Sequence, residues 1–337
     1  MILKDHDLPL KLWILEALVE RVSEENEHYA DIHEDLRIVR AGDRGERSID
    51  YYVDLIDDDD LRVFYDLRLP WKKYFFQMDT VLLTSSFILL VEIKNMVGDI
   101  FFSRETKQMV RRYNEMKEAF PDPLLQVNQQ KLQLHYFLKE NKFPHIPIYT
   151  IVAFVNRNGI LHIEPQNNFH LNNVIPIQEF IFKYKEIEQA NNQIFLNENQ
   201  LEALSELFLT SHVPYDQQNI LTTYKLGEED IMQGVQCKQC QRVGMDFYWA
   251  HWICNLCGFK SENAHVKALR DYCLLIGRYA TNSDARKFLK LNSRHTTKRL
   301  LQNLKLSRVG ARKGTKYDLS KLVFDHKSKN LIINSKN

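Results

Sequence analysis

The fold turns on residues 75–94: Phe75-Phe-Gln-Met-Asp79-Thr-Val-Leu-Leu-Thr-Ser-Ser-Phe-Ile-Leu-Leu-Val-Glu92-Ile-Lys94. Two runs rich in β-branched and aromatic residues flank Thr84-Ser85-Ser86, which predicts a hairpin of strands over 75–83 and 87–93. Carboxylates inside such strands are costly to bury unless paired or bound to a metal, so Asp79 and Glu92 stand out. Residues two apart on a strand point the same way; Glu92 and Lys94 therefore share a face, and Asp79 can meet Glu92 across the pair. Two carboxylates and an ammonium in one patch suit phosphodiester chemistry. The acids would hold Mg²⁺ or Mn²⁺, a hard ion preferring oxygen, while Lys94 would orient a water or offset charge.

Outward from the hairpin, helical periodicity is expected over 8–39 and 41–56, the latter ending in the acidic run 57–60, read as a solvated turn. A strand over 62–69 stops at Pro70. After the hairpin, Ile100-Phe101-Phe102 adds a short strand beyond Gly98, and an amphipathic helix over 123–140 opens on a proline. The apolar run 148–155 reads as a strand buried on both faces. Helix, three strands, helix, strand is an α/β order with a mixed sheet. Helices are also expected over 177–189 and 198–211, with Asn197 as N-cap. Glu46, in Gly42-Asp-Arg-Gly45-Glu46, and Gln126, in Pro123-Leu-Leu-Gln126, fall on the helices flanking the hairpin and join the candidate site. Asp99 and Glu105 read as solvated turn residues, an auxiliary part in the site being the alternative.

The ordered set Gly-x-x-Gly-Glu, Gln77-x-Asp79, Glu92-x-Lys94-Asn95, a nearby glycine and Pro-Leu-x-Gln126 resembles the nuclease-related domain, a distant relative of the PD-(D/E)xK nucleases, over roughly residues 35–160. Met78 stands where the proline of the wider motif would be. The resemblance implies a restriction-endonuclease-like α/β core. Within it, Asp79 and Glu92 would be metal ligands with Glu46 as the helix acid, Lys94 the catalytic lysine and Gln126 the helix glutamine.

Cys237-x-x-Cys240 and Cys254-x-x-Cys257 have the spacing of a closed four-thiolate site for one structural Zn²⁺. Redox thiols or an iron–sulfur cluster are the alternatives. Gly258 fits the turn after the second knuckle. Trp249, His251 and Trp252 between the knuckles either stack on bases or pack against the metal loop, His251 being a substitute ligand that four cysteines make unnecessary. Cys273 reads as a core thiol.

The segment beyond has the order helix, short helix, turn, helix and basic hairpin, and over about 265–322 it resembles a winged helix-turn-helix. Asn282 or Ser283 is expected to cap the short helix. The resemblance implies nucleic-acid contacts from Arg294, Lys298 and Arg299 on the recognition helix, which also carries His295 and Thr297. The wing would contribute Arg308, Arg312, Lys313 and Lys316. Charge agrees: residues 231–337 hold 21 Lys+Arg against 6 Asp+Glu, whereas residues 1–230 hold 24 against 38. A basic tail on an acidic body favours a polyanionic partner, a solvated basic surface being the plainer account.

The chain of 337 residues is thus expected to divide into an N-terminal helical segment (1–34), the nuclease-related domain (35–212), a linker (213–230), a zinc ribbon (231–262) and a winged-helix-like domain (263–337). The expected function is Mg²⁺-dependent DNA cleavage. The alternatives are a DNA-binding regulator with an inactive nuclease fold and an RNA nuclease. No apolar run approaches the ~20 residues that span a bilayer. The acidic start Met1-Ile-Leu-Lys-Asp5 does not read as a signal peptide, so a cytoplasmic protein is expected; oligomeric state is not legible.

Overall fold

The structure, a computed structural model, describes residues 1–103, 106–163, 172–214, 220–311 and 314–324. The chain separates into two units: Met1–Asp7 with Arg40–Asp216, and Leu8–Val39 with Gln217–Asn337. In chain order, β1 (Ile2–Lys4) is followed by α1 (Leu10–Arg21), α2 (Tyr29–Glu46), a 3-10 turn and α3 (Asp50–Val53). Next come β2 (Arg62–Trp71), β3 (Tyr74–Leu83), β4 (Ile88–Lys94), β5 (Gly98–Ser103), β6 (Gln108–Tyr113), β7 (Met116–Pro121) and α4 (Pro123–Glu140). The first unit closes with β8 (Ile148–Phe154), β9 (Gly159–His162), β10 (Val174–Pro176), α5 (Phe180–Ala190) and α6 (Glu198–Ser211).

The main sheet of this unit is mixed, in the order β1-β2-β3-β4-β8-β10. Period-2 alternation explains its two buried faces. On β4, Ile88 and Leu90 join a core with Val127 and Leu134 of α4 and Leu204 and Phe208 of α6, while Leu89, Val91 and Ile93 join one with Val53, Phe180 and Tyr184. The β2–β3 ribbon resets this alternation halfway. Phe64 and Leu67 share one core, as do Met78 and Val81, although each pair is three residues apart. The register runs Tyr65↔Thr80 and then Leu67↔Met78, leaving Asp66 and Asp79 opposed and outside the ladder. Asp66 sits at φ 51°, the left-handed conformation that turns the strand over.

A second sheet, ordered β7-β6-β5-β9, was only partly legible. Of its four strands only the one around Ile100-Phe101-Phe102 is expected from sequence; β6, β7 and β9 are not. The polar residues of β6 and β7 hide the alternation, but Asn114 and Glu115, both at positive φ, form the two-residue turn that joins these two strands. The expected helices over 8–39 and 41–56 also need correction: the break falls at residues 22–28. Val22 is extended, and the Asn26 side chain accepts from His28 N at 3.0 Å, so the chain turns before Tyr29 and α2 runs uninterrupted to Glu46. Asn197 caps α6 as expected, through a reciprocal pair with Gln200.

The second unit contains α1, the first part of α2 and the chain from 220 onward. Its later elements are α7 (Ile220–Thr223), β11 (Val235–Gln236), β12 (Val243–Tyr248), β13 (His251–Cys254), β14 (Lys260–Ser261), α8 (Ala264–Leu275), β15 (Tyr279–Thr281), α9 (Asn282–Phe288), α10 (Arg294–Asn303), β16 (Arg308–Val309), β17 (Lys316–Asp318) and α11 (Lys321–Phe324). Ile220, Tyr224 and Leu226, within the expected linker, are buried in this unit's core with Leu12, Leu15 and Leu18 of α1. Arg21 of α1, 1% exposed, pairs with Asp271 of α8 at 2.8 Å and donates to the carbonyls of Met232 and Gly234. The cap of α9 is Thr281, reciprocally bonded with Asp284, and not Asn282 or Ser283, which are already helical. No described helix is long and apolar enough to cross a membrane.

Candidate active site and metal centre

The β3–β4 ladder ends at Thr80↔Val91, and the next residues along each strand are Asp79 and Glu92. There the strands part, and Asp79 Oδ2 accepts from the backbone N–H of Ile93 at 2.9 Å. Glu92, 2% exposed, accepts from Lys94 Nζ at 2.5 Å through Oε1 and from Gln130 Nε2 at 3.2 Å through Oε2. Lys94 Nζ also donates to Gln126 Oε1 at 3.3 Å. Gln126 and Gln130 lie one turn apart on α4, whose start is fixed by Pro123 and by Asp122 accepting from Leu124 N.

Glu46 enters from the end of α2. A Cβ on Gly45 would come within 2.6 Å of Asn95 Cβ, so only glycine lets the helix lie this close to the end of β4. Asn95 ties the two together, donating to the Ala41 carbonyl at 2.7 Å and accepting from Asn156 at 2.9 Å. Electrostatics show that the acids share a neighbourhood. Burial, then Asp66 and Asp43, push the Glu46 carboxyl up to about 7, and Glu92 adds to the rise. Asp79 is raised well above the usual carboxylate range by burial, then by Glu92 and Glu46, against the opposing Ile93 amide and Lys94. Carboxylates under mutual repulsion in a partly dry site are a donor set that a hard cation would stabilise. Asp79, Glu92, Lys94 and Gln126 thus meet at the parting of β3 and β4, while Glu46 is linked to them through its charge alone; among the described residues only the four-cysteine group has its ligand atoms close enough to share a metal ion.

Three further residues, not among those expected from sequence, lie against these groups. Gln130 is one helical turn beyond Gln126, a spacing that could have flagged it. Asp66, 7% exposed and opposite Asp79, and His6, beyond β1, carry no local signal. His6 stacks on Tyr65 at 4.1 Å, its Nε2 3.0 Å from Asp50 and its Nδ1 3.4 Å from Asp66. Burial opposes its charge, but Asp66 and Asp50 outweigh that and raise its pKa. Asp99 is not a loose turn residue: it lies on β5 and bonds His162. Glu105 lies outside the described residues.

In the second unit the ligand atoms of Cys237, Cys240, Cys254 and Cys257 all lie within 4.8 Å of one another. Two Sγ pairs, Cys237–Cys257 and Cys240–Cys254, stand at 3.6 Å, close to the ~3.8 Å edge of a tetrahedron with ~2.3 Å zinc–sulfur bonds. Each knuckle closes in the same way: Gln241 N donates to Cys237 O and Gly258 N to Cys254 O, both residues at positive φ. Backbone N–H groups, Cys257 first, hold the Cys254 thiol below its usual range. The four thiols could therefore hold one metal ion. The two tryptophans part company: Trp252 is fully buried against Phe247 and donates to His265 Nδ1, whereas Trp249 is 94% exposed at the hairpin tip. His251 faces the Trp249 carbonyl and Glu262 and lies outside the thiol cluster. Cys273 is half-buried on α8, its thiol raised to about 11 by burial.

Arg294, Lys298 and Arg308 line a cavity of about 490 Å³ together with Arg286, Thr281, Ser283 and Tyr317. Arg286 was absent from the sequence-derived set. Arg299 and Lys316 are exposed outside this cavity, and Arg312 and Lys313 lie outside the described residues.

No curated protein and no solved structure matches the chain. Residues 41–155, which contain Asp79, Glu92, Lys94, Gln126 and Gln130, match the model of the nuclease-related domain, and this part of the chain is a nuclease-related domain.

Proposed function

We propose that the chain is a divalent-metal-dependent DNA nuclease. The observation that carries this reading is Asp79 and Glu92 side by side at the parting of two strands, with Lys94 bonded to Glu92. Glu46, Asp79 and Glu92 would hold Mg²⁺ or Mn²⁺, which when bound supplies Lewis acidity toward the phosphoryl oxygen. Lys94, held between Glu92 and Gln126, offsets developing negative charge or orients the attacking water. Gln130 fixes the Glu92 carboxylate, donating to it and to the Gln77 carbonyl.

The second unit supplies grip. The four-cysteine cluster is read as a structural zinc ribbon. The order α8, β15, α9, α10 and β16–β17, with β15 completing a three-stranded sheet, is read as a winged helix. Cations collected in one cavity without an acid among its lining residues support phosphate contact. The test is cleavage of plasmid, linear and single-stranded DNA and of RNA by purified protein, with and without Mg²⁺ or Mn²⁺. Asp79→Ala and Lys94→Ala are each expected to reduce metal-dependent cleavage by at least about 10²-fold while leaving DNA binding within about twofold. Undiminished cleavage by both variants would end the assignment. Metal-dependent cleavage of RNA alone would move the substrate class, and no cleavage of any substrate would favour a binding regulator.

A further inference from the structure

The second sheet of the first unit carries a face that the site above does not use. On β5, Ile100 and Phe102 turn into the core, which turns Asp99, Phe101 and Ser103 outward. Register extends this face across the sheet: His162 of β9 and Val110 of β6 stand beside Phe101, Arg112 beside Asp99, and Lys117 of β7 beside Arg112. The Phe101 and His162 rings stack at 4.4 Å and 10°, with the Arg112 guanidinium 5.4 Å from the Phe101 ring centre. His162 Nε2 donates to Asp99 Oδ1 at 2.7 Å, so the acid on this face serves to orient the imidazole. A shallow cavity of about 270 Å³ opens alongside, with Phe101, Arg112 and Lys117 in its lining.

This sheet is rooted in the residues that carry the acids and the lysine. Gly98, four residues beyond Lys94, is at most about 14 Å from it along the chain. Gly98 N donates to Asn158 O at 2.9 Å, and a Cβ there would come within 2.5 Å of the Arg112 carbonyl. A Cβ on Gly159 would meet the Met96 carbonyl at 2.6 Å, and Asn156 bonds Asn95. Two glycines and an asparagine pair thus clamp β5 and β9 to the segment that follows Lys94.

We propose that this face binds unpaired nucleotides of the strand to be cut, a base extending the stacked Phe101–His162 column while Arg112 and Lys117 meet the phosphates. The proposal rests on the nuclease reading and names its substrate class. Stacking on side-chain rings requires an exposed base face, which a paired base inside a duplex does not offer. Cations beside the rings, with the neighbouring acid engaged by His162, match a polyanion that carries aromatic groups. Single strands, frayed ends and overhangs are accordingly the preferred ligands of this face.

The test is equilibrium binding of fluorescein-labelled oligothymidine, and of a labelled duplex of the same length, to the full chain in EDTA, where no cutting interferes. Phe101→Ala and His162→Ala are each expected to weaken single-strand binding by about 5- to 150-fold, the range for one stacked base, with duplex binding changed less than about twofold. Phe101→Tyr, which keeps the ring, is expected to bind as the parent does. Should Phe101→Ala fail to fold, His162→Ala and Arg112→Gln, both at exposed or half-exposed positions, carry the comparison. Unchanged single-strand affinity in these variants, or equal losses on both ligands, overturns the proposal and leaves the nuclease reading standing. Cleavage undiminished in Asp79→Ala and Lys94→Ala would remove the nuclease reading without touching the binding result.

Discussion

A methyl group on Gly45 would sit 2.6 Å from Asn95 Cβ, inside any real contact distance, so one hydrogen atom sets how closely the helix end approaches the acids. In a helix interior, glycine costs roughly 0.5–1 kcal/mol relative to alanine, an expense here offset by the approach of Glu46. Gly45→Ala is therefore expected to lower the melting temperature, since the clash with Asn95 outweighs the small gain in helix propensity. Metal-dependent cleavage should fall by about 10- to 100-fold as Glu46 is displaced. Unaltered turnover with the same metal requirement would show that Glu46 needs no such precision. Asp79, Glu92 and Lys94 stand out in the sequence because charged residues interrupt otherwise apolar strands. Gln130, Asp66 and His6 do not: each reaches the site through packing between segments far apart in sequence, and no periodicity encodes that.

At the level of elements, polar strands were the weak point. The runs Ile88–Lys94 and Ile148–Phe154, each buried almost throughout, announce themselves by composition, whereas β6 is only partly buried, β7 is exposed along nearly its whole length, and both carry charged residues on each face. The zinc-ribbon segment has the opposite character, because cysteine spacing specifies its loops almost alone. Metal analysis should find about one zinc per chain, and its removal by a thiol reagent with chelator should lower the melting temperature of the second unit; metal-free protein of unchanged stability would contradict this. His265 adds a pH dependence. Buried and accepting from the Trp252 indole, it is held neutral, and burial lowers its pKa to about 4 from the ordinary 6.5. Between those values the unfolded chain binds the extra proton, so this contribution is intact above pH 6.5 and is lost as pH falls toward 4. It amounts to up to about 3 kcal/mol. Denaturant melts of the parent and of His265→Asn should converge across that interval; parallel curves would exclude the effect.

At the scale of the whole molecule, the chain does not divide where sequence alone suggests. Leu8–Val39 belongs with residues beyond 216, because the apolar side of α1 packs in that core and the Arg21 guanidinium pairs with Asp271 of α8. That partnership joins residues 250 positions apart, beyond the reach of any local pattern. Arg21→Ala would leave Asp271, 4% exposed, without its main cation and is expected to destabilise the second unit by about 3–5 kcal/mol, readable as an early transition in thermal unfolding. A chain cut at residue 216 would likewise bare Leu12, Leu15 and Leu18, so its aggregation is expected, and point substitutions in the basic cavity are the cleaner probe of nucleic-acid grip. Replacing Arg294, Lys298 and Arg308 by alanine should make the plot of log affinity against log salt shallower by about 0.9 per lost phosphate contact; an unchanged slope would place the polyanion elsewhere.

The opposed pair Asp66 and Asp79 constrains how this ribbon can vary over generations. Both strands skip one residue at the same level, so the facing partners stay in step while the oily side changes hands. Deleting a single codon from one strand only would rotate either Leu67 and Leu69 or Phe76 and Met78 toward water and slide them past their partners. Length changes here can survive only as compensated pairs, one in each strand, and an acid sits at both points where such a pair would have to fall.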